Sequence, residues 1–158
     1  MRRTSSAPLR AVSRNSHGTP RLWSLPLTLP RPGRITSPYG GAREYNGKVT
    51  SRHTGTDFAG AIGAPVVAPA RGVVALVADF YLAGRAVYLD HGGGLVTGYF
   101  HLSRVDVAPG DTVSAGQRIG AVGRSGRVTG PHLHWIMRYG TISLDPMSLV
   151  ELGKNLSP

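Results

Sequence analysis

Residues 71–102 read RGVVALVADF, YLAG, RAVYLD, HGGG and LVTGYFHL in succession, and the fold class turns on them. Arg71–Phe80, Arg85–Asp90 and Leu95–Leu102 are rich in β-branched, apolar and aromatic residues. Gly84 precedes the second run, and His91-Gly92-Gly93-Gly94 separates the last two. Apolar runs of this length, closed off by glycine reversals, are strands joined in hairpins. Further out, Gln117–Val122 and His132–Arg138 are two more runs of strand length. Residues 105–120 (VDVAPGDTVSAGQRIG) form a hairpin with Gly110 and Gly116 at its reversals. One short helix is expected at Pro146–Leu149, with Asp145 as its cap and Pro146 at its first position. The 22 glycines and 12 prolines among 158 residues suit many strands and turns. The chain therefore reads as all-β, a single small domain over about 33–152 with little helix. A basic arm (1–32) precedes it and a short tail (153–158) follows.

The net charge of +10 is unevenly spread. Residues 1–43 hold eight arginines and no acid, whereas the rest balances ten Lys/Arg against eight Asp/Glu. The arm is rich in Arg, Ser and Pro and shows no helical or strand period, so it reads as largely disordered to about Pro20. Leu22–Leu29 is too short, and too interrupted by Ser24 and Pro26, for a secretory signal. No apolar run approaches the ~20 residues of a membrane span. The absence of cysteine excludes disulfides, a thiolate zinc site and a cysteine nucleophile. The 105–120 hairpin also suits biotinyl or lipoyl carriers, but Lys48 and Lys154 are the only lysines and neither sits at such a turn. Aromatic–basic interleaving is missing, so specific nucleic-acid binding is not expected.

The histidines carry the chemistry. His53-Thr-Gly-Thr-Asp57 sets an imidazole and a carboxylate four residues apart, on a loop because of Gly55. In a strand, His132 and His134 face the same side with Cα atoms about 7 Å apart, while Leu133 and Trp135 face the core. His101 closes the run Tyr99-Phe100-His101-Leu102 among apolar neighbours. His53, Asp57 and one of His132 or His134 would make three ligands for Zn2+, leaving a fourth position open. An open position marks a catalytic zinc, which brings the pKa of a bound water toward ~7. Unligated imidazoles beside it can take the water's proton, protonate a leaving amine or stabilise an oxyanion. That is the chemistry of amide hydrolysis.

These motifs resemble the lysostaphin-type, or LytM-domain, zinc endopeptidases. The resemblance runs through Pro32–Gly40 (PGRITSPYG), His53–Gly60 (HTGTDFAG), Ala64–Val74 and Tyr99–Ser103. It continues through the hairpin at 105–120 to Gly126-x-x-x-Gly-Pro-His-Leu-His-Trp135. It implies a groove over antiparallel sheet of the duplicated hybrid motif type and cleavage of peptide bonds in bacterial peptidoglycan. It also implies Zn2+ on His53, Asp57 and His134, with His101 and His132 as the catalytic pair, and a structural His91. The Arg43–Arg52 loop is expected to line the groove. Ile136, Met137 and Val128 depart from the commoner residues of the pattern. The resemblance further implies an extracytoplasmic location, although no signal peptide is visible, and a monomer acting on peptidoglycan peptides. The alternative it leaves is a non-catalytic wall-binding or hydrolase-regulating module, a role associated with lost zinc residues; this chain retains the full set.

Overall fold

The computed structural model describes residues 6–45, 48–126, 128 and 130–156. In chain order the elements are α1 (Ser6–Ser16), β1 (Ile35–Ser37), β2 (Ala42–Tyr45), β3 (Lys48–Arg52), β4 (Thr56–Ala59), β5 (Pro65–Val67) and β6 (Gly72–Phe80). There follow β7 (Gly84–Gly92), β8 (Leu95–Phe100), β9 (Leu102–Val105), β10 (Thr112–Val113), β11 (Arg118–Val122), β12 (His132–Tyr139), β13 (Ile142–Leu144) and α2 (Pro146–Leu156). An eight-stranded sheet runs β1-β4-β12-β8-β7-β6-β10, with β13 also pairing β12. A three-stranded sheet, β5-β11-β9, stands apart from it, and β2 and β3 form a separate hairpin. Every described pairing is antiparallel, and short connections join the partners β2–β3, β6–β7, β7–β8 and β12–β13.

The large sheet is apolar on both faces, but unequally. On β12, Leu133, Trp135 and Met137 are fully buried in the main core. There they join Phe58, Val87, Leu89 and Tyr99 from neighbouring strands and Val66, Leu102, Ile119 and Val122 from the small sheet. Burying each large side chain contributes about 1.5–3 kcal/mol. The period of two puts His132, His134, Ile136 and Arg138 on the opposite face. That face holds a smaller cluster of Phe80, Ala86, Tyr88, Val96, Phe100 and Ile136.

The N-terminal arm departs from expectation. Residues 6–16 form α1, and its Leu9 and Val12 join the smaller cluster. A short helix gains most of its stability from packing, so its own sequence carries little sign of it. The chain that follows is clasped to the β7–β8 turn. Asp90 accepts from Ser16 Oγ (2.5 Å), Leu22 N–H donates to the His91 carbonyl (2.8 Å), and Gly94 N–H reaches Ser16 Oγ (3.1 Å). A Cβ on Gly92 would collide with the Pro20 carbonyl, so this seat needs glycine. At the other end the helix extends past Leu149 to Leu156, through the residues read as a tail. Its start matches the sequence: Asp145 accepts from Met147 N–H (3.0 Å). Among the described residues no helix is long and apolar enough to cross a membrane.

Candidate metal centre

Strands β4 and β12, the loop before β4 and the break between β8 and β9 bring the candidate residues together. Asp57 lies on β4, not on the loop expected for it, and its register partner on β12 is His134. Directly opposed residues of antiparallel strands have Cβ atoms about 4.5–5.5 Å apart, so carboxylate and imidazole meet by register alone. His53 stays in the preceding loop. Its carbonyl accepts from Gly40 N–H (2.7 Å) and its N–H donates to the Gly41 carbonyl (2.9 Å). On the other side of β12, His134 is paired with Phe100, and the next residue is His101. His101 separates β8 from β9 and takes the left-handed conformation (φ 64°), rare for a side-chain-bearing residue. That turn of the backbone carries its ring to within 5.0 Å of the His132 ring, centroid to centroid.

The donor atoms converge. His134 Nδ1 is 2.6 Å from Asp57 Oδ1 and 3.2 Å from His53 Nε2, and His53 Nε2 is 3.4 Å from Asp57 Oδ1. Zinc bonds of 2.0–2.2 Å in a tetrahedron set neighbouring ligand atoms about 3.3–3.5 Å apart. The separations of 3.2 and 3.4 Å lie at or just under that spacing, and the third, 2.6 Å, is a hydrogen bond between two of the same atoms. The donor types, two imidazole nitrogens and one carboxylate oxygen, are those of a zinc site with a free position. Backbone carbonyls fix the tautomers, because a carbonyl only accepts. His53 Nδ1–H donates to Pro38 (3.0 Å), leaving Nε2 as a lone pair toward the cluster. His132 Nδ1–H donates to Gly130 (3.0 Å), and His101 Nδ1–H donates to Ser125 (2.8 Å). His132 Nε2 then lies 3.8 Å from Asp57 Oδ1.

Burial and close charged contacts act against one another at Asp57 and His134. Desolvation alone would raise the Asp57 carboxyl, but the hydrogen bond and charge of His134, with His53 and His132 behind it, hold the carboxyl below its usual range. Burial lowers His134 against the pull of Asp57. Burial also pushes His101 down to about 4, with the neighbouring His132 and His134 adding to the effect. An ionised Asp57 beside a neutral His134 is the state that metal ligation requires.

His91, expected to be structural, stands away from this cluster and is completely buried. Its Nδ1–H donates to the Arg71 carbonyl (2.9 Å), so Nε2 accepts from Thr97 Oγ1 (2.8 Å), which in turn faces Tyr99 Oη (2.7 Å). The side chains of the Arg43–Arg52 loop, expected at the groove, lie outside the described part of the structure, as do residues 127 and 129 of the 126–130 loop.

Two further contributors, Gly55 and Ser125, carry no titratable group, so sequence reasoning gave neither a role at the site. A Cβ on Gly55 would stand 2.5 Å from His134 Cε1, so only glycine lets this loop cross the imidazole. Ser125 holds His101 through its carbonyl. It is itself locked, with Oγ donating to the Leu102 carbonyl (2.7 Å) and accepting from Arg85 N–H (3.0 Å). The sequence hint was the glycine pair Gly84 and Gly126, both at positive φ and packed against one another's backbone.

A model of peptidase family M23 matches residues 51–146. The chain is 49% identical over 88 residues to the peptidoglycan DD-endopeptidase ShyA of Vibrio cholerae, a match covering 56% of this chain and 20% of that protein. It spans less than a third of the length of the curated relatives it matches. Among solved structures, a zinc-containing peptidase from Vibrio cholerae superposes with a TM-score of 0.71 at 35% identity, covering 81% of this chain and 40% of that one. The catalytic domain of the antimicrobial peptidase lysostaphin from Staphylococcus simulans superposes with a TM-score of 0.67 at 32% identity, covering 75% of this chain and 92% of that one.

Proposed function

The chain belongs to peptidase family M23, and from that premise we propose that it is a zinc-dependent endopeptidase that hydrolyses peptide bonds in bacterial peptidoglycan. The observation that carries this reading is the convergence of His53, Asp57 and His134 beside two further imidazoles with fixed tautomers. The relatives named as peptidoglycan DD-endopeptidases support the substrate class. Action on that substrate places the protein in the periplasm, in the cell wall or outside the cell.

His53 Nε2, Asp57 and His134 would hold the metal. Zinc, when bound, supplies a Lewis acid that polarises the scissile carbonyl and acidifies water. The rest is proton handling and positioning by the chain. His101, neutral with a lone pair on Nε2, accepts a proton during attack on the amide carbon. His132, its ring held by the Gly130 carbonyl, faces the same space and serves the developing oxyanion or the leaving amine. Asp57 stays ionised and, in the metal-free chain, orients His134 through a hydrogen bond whose Nδ1 proton would have to leave for that nitrogen to hold the metal. Gly55 keeps the roof over His134 thin enough for that geometry.

The test is digestion of purified peptidoglycan from several wall types, with fragments read by mass. Release of crosslinked peptides as monomers, abolished by chelation and restored by zinc, is the expected result. Intact crosslinks in every wall, with one zinc bound per chain, would overturn the enzyme and favour a binding module.

A further inference from the structure

The groove face continues beyond the histidines. From His134, β12 carries Ile136 and then Arg138 on the same side, and α1 crosses the sheet there. Between helix and strand stands a cavity of about 360 Å³ that has His134 in its wall. This lies within the range of small-ligand sites, about 300–1,000 Å³. Leu9, Phe100 and Ile136 supply its apolar surface, and its charged side chains are Arg10 and Arg138. Among the described residues no carboxylate lines it and neither arginine pairs with one. Arg138 Nη2 donates to the Thr141 carbonyl (3.0 Å), which anchors the guanidinium while its Nη1 has no partner among the described residues. Two uncompensated guanidiniums beside apolar walls attract an anion more strongly than they would in open water.

We propose that this cavity is a substrate subsite in which Arg10 and Arg138 bind a carboxylate of the peptide being cut. The proposal rests on the endopeptidase reading and narrows its substrate. Four residues of strand place Arg138 about 13 Å from His134 at Cα. The arginine side chain spans part of that distance, so the carboxylate belongs to a group two or three residue lengths from the scissile amide. Stem peptides with free carboxylates fit this demand. Uncharged oligoglycine bridges do not, because they leave both cations without a partner. Arg10 comes from the N-terminal helix, so the segment before the sheet domain helps to select the substrate.

The experiment uses matched crosslinked peptide dimers with their carboxylates either free or amidated. The full chain loaded with zinc is expected to show a KM about tenfold lower for the free-acid dimer. The R10Q/R138Q variant is expected to treat the two dimers alike. R10Q alone, at an exposed side chain, guards against misfolding and is expected to lose part of the preference. Equal KM values for wild type, or a preference that survives the double variant, would overturn the subsite. Binding of both dimers to the H132A variant separates this proposal from the enzyme reading. Tighter binding of the free acid, lost with both arginines, upholds the subsite even without turnover. Equal binding refutes it even if hydrolysis proceeds.

Discussion

The two ends of the groove face are built by opposite means. At the His134 end, polar atoms converge within 2.6–3.4 Å, and backbone carbonyls of Pro38, Ser125 and Gly130 set each surrounding ring. At the α1 end, Leu9 and Val12 lie on an apolar patch, clasped by hydrogen bonds that span more than seventy residues of sequence. One end owes its order to directional contacts that tolerate no displacement. The other owes it to area and can adapt. Substitutions at the first end should therefore cost function out of proportion to stability, and at the second the reverse.

The largest effect is expected from the converging donors. D57N or H134A should reduce zinc affinity by at least about 100-fold, more than the loss of an outer-shell partner costs, and take hydrolysis to background. Metal content after dialysis, measured beside activity, checks both. Next come the imidazoles assigned to proton handling. H101A or H132A should lower kcat/KM by about 10²–10⁴-fold while zinc stays bound at one per chain. Full activity in H132A would break that assignment. G55A drives a methyl into His134 and the Trp135 carbonyl. It should cost about 1–3 kcal/mol of stability and a larger share of activity. L9A, at the adaptable end, should cost about 2 kcal/mol, near the lower limit for a leucine truncation, and loosen α1 in hydrogen exchange before the sheet opens. If L9A disturbed the sheet as much as L133A, the two ends would not be separate.

The smallest effect is in acid. His91 is held neutral by burial, and its folded pKa lies below its unfolded value of 6.5. The unfolded chain then binds the extra proton, so this contribution to stability is full above pH 6.5 and falls as pH drops toward the folded value. His101 acts with the same sign over a window from 6.5 to about 4. Urea midpoints of metal-free protein should fall between pH 7.5 and 5, and less steeply in H91Q. Equal slopes would contradict the buried neutral state.

The sequence makes the first end legible because its parts are local. His132-Leu133-His134 follows from the strand period, and His53 and Asp57 from spacing, although Asp57 proved to sit on β4. The strands at 71–102 were bounded within a few residues, with a break at His101 that only its positive φ reveals. The second end is hidden. An Arg- and Ser-rich segment such as 6–16 has weak preferences of its own, and Leu9 finds its partners on β7, β8 and β12 only after the sheet exists. Ser125 was hidden for the same reason, since it acts through a carbonyl that every residue carries.

The most direct measurement is zinc titration into metal-free protein, with hydrolysis of a crosslinked stem-peptide dimer followed by mass. Cleavage that rises with zinc, saturates at one equivalent and fails in H134A is the predicted result. Cleavage independent of zinc, or tight zinc binding retained in H134A, would contradict the assignment of this centre.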